Sequence, residues 1–531
     1  MNHQSSPQPT GTIARAAGAM SVAVFASRIL GLVREQVLAG LFGAGYAIDA
    51  FVVAFRIPNL LRDLFAEGAL STAFVTVFTQ YETQRGMART WRLANNVIAW
   101  ICIVVGVITA VGIAASPYLV KLMAPDFGRV SGKLALTTLM TRIMFPFLLL
   151  ISLAALAMGI LNARGKFFVP ALASGFFNLG SIVTGVALSL VMPYFGAPAI
   201  VGMAWGTLIG GFLQLAVQVP LLRQVGYRPE RVLDPKDEGL HQILKLMLPA
   251  VVGLSATQIN VFINTFYAAS CMEGSVSWLN YAYRLVHLPQ GLFGVAVSVA
   301  TLPVVSRFAA QNNLPALKGS FESALSLAFL LTVPAAFGLA ALADPIIAVI
   351  FQHGRFTAWD THQTAAALVY YSIGIFAFAG VKILVPVFYA LNNTRIPVAG
   401  SFLTVGVNLL FINLTLAALQ HRAIALSTSL SMVVNFLFLA IMLFRLVGGF
   451  RAGYVMVNLA KVTAASLAMA ILVHWGYHWL VGWLGKGLAG KLLALLLVIA
   501  GGAGLYGILI SWLRIPEFRD LAGDLKSRLK R

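Results

Sequence analysis

The feature that most constrains this chain is a succession of apolar stretches, each about 20 residues or longer, running from one end to the other. One such stretch could be the buried helix of a soluble domain. Repeated along 531 residues, they leave too little polar sequence to cover them: 59% of residues are hydrophobic and 10% charged, where soluble domains carry about 25% charged residues. In hydrocarbon every backbone N–H and C=O must be paired within the protein, so only helices or a closed barrel can span it. Barrel strands are about 10 residues long and alternate strictly; these stretches are longer and do not alternate. The expected fold is an all-α polytopic membrane protein.

Set against a crossing length of about 20 residues, the stretches give about fourteen spans: 14–42, 48–80, 93–117, 134–161, 168–192, 199–222, 241–271, 277–306, 322–351, 364–391, 397–419, 423–445, 454–483 and 488–513. Pro58 and Pro289 fall inside two of them, where proline kinks a helix or breaks its hydrogen-bond ladder. The spans group as two six-helix lobes plus two C-terminal helices. The expected organisation is an N-terminal cytoplasmic tail 1–13, a first lobe 14–222, a cytoplasmic linker 223–240, a second lobe 241–445, the extra pair 446–513 and a basic tail 514–531. Leu161-Asn162 and Asn178-Leu179 recur as Leu391-Asn392 and Asn408-Leu409, and Pro58 recurs as Pro289 at a similar offset. This suggests a duplicated six-helix unit with parallel repeats, an arrangement in which transporters bind substrate at the repeat interface and rock one half against the other.

The formal net charge of +20 could indicate nucleic acid. Its position says otherwise. With the N-terminus cytoplasmic, the inside connections hold about three times as many Lys and Arg as the outside ones, which include Lys121, Arg129 and Lys133. The basic excess is a topology signal that places both termini in the cytoplasm. Residues Met1 to Thr12 are polar, without the apolar core and cleavage site of a signal peptide, so the first stretch is expected to be retained as a span. No GxxxxGK[ST], GxSxG or HExxH occurs, and nothing points to nucleotide hydrolysis or another enzymatic activity. His474 and His478 have ligand spacing but no acidic third partner nearby, and Cys102 and Cys271 are far apart in sequence, so no metal or other cofactor is expected. The tail after Pro516 is basic and suited to anionic headgroups.

Charges inside the spans are the functional signal, because an ionisable residue at mid-membrane costs about 2.5–3.5 kcal/mol on insertion scales and usually lines a cavity. They concentrate in the first two spans: Arg28, Arg34, Glu35, Asp49, Arg56, Arg62, Asp63 and Glu67, with Arg142, Arg284, Lys382 and Lys461 further on. Cations outnumber anions, so a cavity lined this way attracts a multiply negative ligand. The guanidinium fork suits phosphate oxygens. Arg28 and Glu35 are seven apart, as are Asp49, Arg56 and Asp63, which tends to place each set on one helix face. Each single arginine could instead be a structural ion pair or a snorkelling side chain.

Three blocks carry a family resemblance: Ser27-Arg28-Ile29-Leu30-Gly31-Leu32-Val33-Arg34-Glu35; Phe42-Gly43-Ala44-Gly45 with Asp49-Ala50-Phe51; and Pro58-Asn59-Leu60-Leu61-Arg62-Asp63-Leu64-Phe65-Ala66-Glu67-Gly68-Ala69. They closely resemble the MurJ (MviN) lipid II flippases of the MOP exporter superfamily. So do Gly274-Ser275-Val276-Ser277-Trp278-Leu279 with Tyr281, Ala282, Arg284 and Leu285, and the run from Phe351 to Ala358. The resemblance covers essentially the whole chain. It implies alternating-access transport of undecaprenyl-pyrophosphate carrying the peptidoglycan disaccharide-pentapeptide from the cytoplasmic to the periplasmic leaflet of the bacterial inner membrane. It implies that Arg28, Arg34, Arg62 and Arg284 lie in a central cavity and bind the pyrophosphate, that Ser27, Glu35, Asp49 and Glu67 serve transport or gating, and that the last two helices form a groove for the lipid tail. The chain departs from the family pattern at Tyr283 and His287, where acidic residues occur.

The implied partners are the lipid-linked anionic substrate and membrane lipids, with cell-wall synthesis or division proteins as further candidates and no nucleic acid. Without a nucleotide site, energy would come from the membrane potential, an ion gradient or consumption of the product; one charge moved through 100 mV is worth about 2.3 kcal/mol. Alternatives are a flippase for another polyprenyl-linked oligosaccharide, a multidrug or cation antiporter of the same superfamily, and a membrane scaffold.

Overall fold

The computed structural model describes residues 10–64, 70–519 and 523, with side chains of the first helix from Val22 onward. Among the described residues every regular element is helical. The chain divides into two compact units, the first ending at Glu273 and the second beginning at Gly274.

The first unit opens with α1 (Thr10–Phe42) and α2 (Tyr46–Arg62). Gly43 and Gly45 turn the chain between them at φ 70° and 129°, conformations that side chains resist. Next come α3 (Ser71–Met123), α4 (Lys133–Met144), α5 (Phe147–Ala163), α6 (Phe168–Val191), α7 (Ile200–Ala216), α8 (Val219–Gln224) and α9 (Glu238–Ala269). Although 53 residues long, α3 is interrupted at Gly86 (φ 77°, ψ 165°), so its two arms run in different directions. The closest helix pair is α6 with α7. Gly202, Gly206 and Gly210 recur every fourth residue on α7; a Cβ on Gly206 would lie 2.5 Å from Gly185 Cα, and one on Gly202 2.3 Å from Ser189 N. Small residues let two membrane helices bring their backbones together, which substitutes for the hydrophobic driving force that lipid removes. In turn α6 packs along α1, and α2 packs on α4, which carries the charged segment into place.

The connection after α8 is clipped to α3 rather than hanging loose. Buried Asn96 exchanges two hydrogen bonds of 2.8 Å with the backbone of Asp234. Its neighbour Asn95 donates to Arg228 O at 3.0 Å and accepts from the Tyr227 hydroxyl at 2.8 Å and from Glu230 N at 3.1 Å. Burial holds the Tyr227 phenol above its ordinary pKa, so it stays protonated as the donor of that bond.

The second unit runs α10 (Ser275–Pro289), α11 (Ala296–Ala310), α12 (Leu314–Ala341), α13 (Ala343–Phe351), α14 (Ala358–Ser372), α15 (Ile375–Ala390), α16 (Arg395–Leu419), α17 (His421–Leu446), α18 (Ala452–Leu484) and α19 (Leu488–Trp512). A π-helical segment at Gln290–Val295 joins α10 to α11 immediately after Pro289, a common device for absorbing a disrupted ladder. Its core is aliphatic and aromatic, with Phe321, Phe329, Phe388 and Leu439 fully buried.

Among the described residues, eleven helices are long and apolar enough to cross a membrane, or twelve if α14 and α15, bent by 42°, form one span. These twelve correspond to expected spans three to fourteen; of the first two, 14–42 lies in α1, whose side chains are described only from Val22 onward. Segment 48–80 is divided between α2, residues 65–69 outside the described set, and the start of α3. At 17 residues and with Asp49, Arg56 and Arg62, α2 is short and charged for a crossing helix. Expected span 322–351 is also broken, at Leu342, into α12 and α13.

Candidate functional site

The charged segment is organised by α6. Asn178 donates its side-chain amide to Ser27 O at 3.2 Å and to Ser174 O at 3.1 Å, and the Ser27 and Ser174 hydroxyls meet at 2.6 Å. This polar contact fixes α1 one residue before Arg28. Arg28 itself is exposed, with no carboxylate partner among the described residues. Two turns later Arg34 lies 3.0 Å from Glu35 and over the Phe177 ring at 5.3 Å. Glu35 is buried, whereas Arg28, seven residues earlier, is exposed. The even spacing therefore does not give the two residues one environment, because the latter half of α1 is more deeply covered, with Leu38 and Ala39 both buried.

On α2, Asp49 forms the most deeply buried ion pair of the first unit. Lys133 Nζ lies 3.1 Å from its carboxylate, with each side chain 3% exposed or less. The ammonium also sits 4.3 Å from the Phe127 ring centre and 5.8 Å from that of Tyr46. Gly132, at φ 74°, turns the chain so that Lys133 begins α4 pointing at α2. A charge pair this dry is worth little net, but either partner alone would be costly. In sequence Lys133 reads as one more outside-loop cation; its position directly before an apolar helix is the signal that could have identified it. Arg62 ends α2 and donates twice to one Asp63 oxygen, Oδ1, at 3.1 Å through Nε and 2.8 Å through Nη2. Glu67 lies outside the described residues.

In the second unit Arg284 is exposed on α10. The opposite face of that helix is fixed by two motifs that are distant in sequence: Trp278 donates to buried Asp360 at 2.9 Å, and Tyr281 stacks against Phe351 and Phe356 at 5.0 and 5.6 Å. The other Asp360 oxygen accepts from Thr357 N and hydroxyl, closing the capping box that starts α14. Beside Arg284, Tyr283 meets His287 edge-on at 4.3 Å and Tyr371 at 5.3 Å, so an aromatic cluster occupies the place where an acid was anticipated. Sequence reasoning also passed over Glu322, whose buried carboxylate takes Arg451 N and Nε at 2.7 and 2.8 Å. Lys461 donates to Leu513 O at 3.3 Å, a structural role at the end of α19.

The first unit thus carries Ser27, Arg28, Arg34 and Glu35 on α1, with Arg28 exposed and Glu35 buried, and Asp49 and Arg62 on α2; the second presents Arg284 from α10. Guanidinium groups held on helices, with acids fixing some of them, can grip an oxyanion while the surrounding apolar sequence excludes water.

The family model described as lipid II flippase MurJ matches residues 38–493. A curated relative from Burkholderia cenocepacia, named lipid II flippase MurJ, is 35% identical over 457 residues, covering 85% of this chain and 87% of its own. Among solved structures, lipid II flippase MurJ in an inward closed conformation aligns with a TM-score of 0.77 at 26% identity, over 95% of this chain and 99% of that one. An inward-facing multidrug resistance MATE transporter of the MOP superfamily aligns with a TM-score of 0.65 at 16% identity over 80% and 94%, which is a likeness of fold.

Proposed function

The chain belongs to the lipid II flippase MurJ family, and from that premise we propose that it moves lipid II from the cytoplasmic to the periplasmic leaflet by alternating access. It is a multi-pass protein of the bacterial inner membrane and a transporter, not an enzyme. The product feeds peptidoglycan synthesis. In this reading the pyrophosphate is gripped by Arg28, Arg34, Arg62 and Arg284 during the cycle, while the polyprenyl tail stays in lipid. The observation that carries the assignment of residues is the exposure of Arg28 and Arg284 on helices whose other faces are locked by Asn178 and by Asp360. Glu35 and Asp63 hold Arg34 and Arg62 in place, and Asp49 acts through Lys133 as a positioning residue joining α2 to α4.

The basic connections support cytoplasmic termini, and the absence of a nucleotide motif from the sequence supports energy drawn from the membrane potential, an ion gradient or consumption of the product. Cell-wall synthesis and division proteins are the partners this role suggests. A multidrug or cation antiporter calls for an acidic site, and the cations that outnumber acids once Arg142, Arg284, Lys382 and Lys461 join the charges of the first two spans speak against it.

The test is complementation in cells depleted of their own lipid II flippase, with membrane levels matched. Wild type should restore growth, and Arg28→Ala and Arg284→Ala should not. Failure of well-expressed wild type would point to another polyprenyl-linked substrate. Growth with both variants would remove the arginines from the site.

A further inference from the structure

We propose that the second unit holds a site for the phosphate of an anionic membrane lipid, in a cavity between the first turns of α12 and the turn joining α17 to α18. The site is separate from the arginines assigned to the flipped substrate and stands whether or not that reading holds. The cavity measures about 400 Å³ and is lined by Lys318 and Gly319 of α12 together with Glu322, Phe450 and Arg451. That volume falls in the range of small-ligand pockets, roughly 300–1,000 Å³.

Its electrostatics favour an anion. Both oxygens of Glu322 are engaged by Arg451, through the backbone N–H and Nε, so the one acid in the lining is satisfied within the protein. Those same bonds orient the guanidinium, which also lies 5.2 Å from the Tyr454 ring centre, and leave the side chain 68% exposed. Lys318 is half-buried and, among the described residues, has no ion-pair partner. Two cations against one acid leave a net positive charge. Both α12 and α18 begin at this end, and their N-terminal N–H groups add to the positive potential.

The shape is also prepared. Phe450 is held edge-on between Phe321 at 5.2 Å and Phe444 at 5.5 Å, giving a rigid apolar wall. Gly319 opens the floor: a Cβ there would meet nothing within 4 Å. Exposed Leu314, Phe444 and Leu446 flank the cavity in sequence, and their apolar side chains suit the acyl chains that come with a lipid headgroup. A free phosphate would have no use for them. This is also the end of the helices at which the basic connections lie, and basic pockets between membrane helices on that side bind lipid headgroups.

The experiment uses the purified full chain in nanodiscs of phosphatidylcholine with increasing phosphatidylglycerol, with bound lipid counted by native mass spectrometry. Inorganic phosphate is tested in parallel by thermal shift. The variants are Lys318→Gln, which removes one cation, and Gly319→Leu, which fills the floor without disturbing a hydrogen bond. Wild type should retain phosphatidylglycerol in preference to phosphatidylcholine and ignore millimolar phosphate, and each variant should bind phosphatidylglycerol about tenfold more weakly while melting like wild type in phosphatidylcholine alone. Retention equal to wild type in the correctly folded variants would overturn the proposal. So would stabilisation by inorganic phosphate with no preference for phosphatidylglycerol, which would make this a site for free anions. Should one variant fail to fold, the other decides by the same criterion.

Discussion

On α1 and α2, Arg34 meets Glu35, Asp49 meets Lys133 and Arg62 meets Asp63. On α10 the chemistry is divided differently: the buried acid nearby, Asp360, is committed to Trp278 and to the cap of α14, and Arg284 has Tyr283 as its neighbour in sequence. At Arg34, Asp49 and Arg62, charge in apolar sequence is met by counter-charge. On α10 the cation Arg284 sits at an exposed position on a helix anchored by aromatic and hydrogen-bonded contacts behind it. Pairing of the first kind serves mainly to position helices, because a dry ion pair contributes little net energy yet penalises loss of either member. Arg28, exposed and with no carboxylate partner among the described residues, can be removed with little structural consequence, so a loss of transport there reports on ligand.

That contrast can be broken experimentally, most forcefully at Lys133. Lys133→Met leaves Asp49 buried without its partner, an effect expected to cost about 3–5 kcal/mol. Thermal unfolding in detergent should show it as a large drop in melting temperature, and the exchange of the two residues, Asp49→Lys with Lys133→Asp, should recover part of the loss. No drop would mean that the pair is not the clamp described. Next comes Gly206→Leu, whose side chain would collide with the α6 backbone; overpacking of this kind typically costs about 1–3 kcal/mol. It should lower folded yield, whereas Leu at Gly406, where a Cβ meets nothing within 4 Å, should not. In the second unit, Trp278→Phe keeps the ring but strips a donor from buried Asp360, at a cost of about 1–3 kcal/mol. Its transport should fall in parallel with folded protein, as befits a residue that holds α10 rather than touching ligand. The smallest expected structural effect is at Arg28→Ala, where the melting temperature should be unchanged.

Much of the architecture was legible in the sequence, because the apolar period reports directly on helices that face lipid. The part that was not legible concerns where helices break. Segment 48–80 reads as one regular span because hydropathy averages over Arg62 and Asp63, yet the helix turns π-helical at Asp63–Leu64. Segment 322–351 reads as one apolar run although Asp344-Pro345, a boundary signal, follows the stop at Leu342. The charges of the site were legible as anomalies, but their partners were not: Lys133 lies 84 residues from Asp49, and a buried ion pair leaves no local pattern. The small-residue ladder of Gly202, Gly206 and Gly210 was written in the sequence at four-residue spacing, whereas the Ser181, Gly185 and Ser189 face it meets can be matched to it only in three dimensions.

The central claim, that exposed arginines act on the pyrophosphate rather than on the fold, is tested most directly by following lipid II at the outer leaflet. In spheroplasts whose only flippase is this chain, the fraction of lipid II open to a membrane-impermeant probe would be compared for wild type, Arg28→Ala, Arg284→Ala and Trp278→Phe, each normalised to folded protein. The account predicts that normalised exposure collapses for the two arginine variants and stays near wild type for Trp278→Phe. Wild-type exposure from correctly folded Arg28→Ala and Arg284→Ala would contradict it.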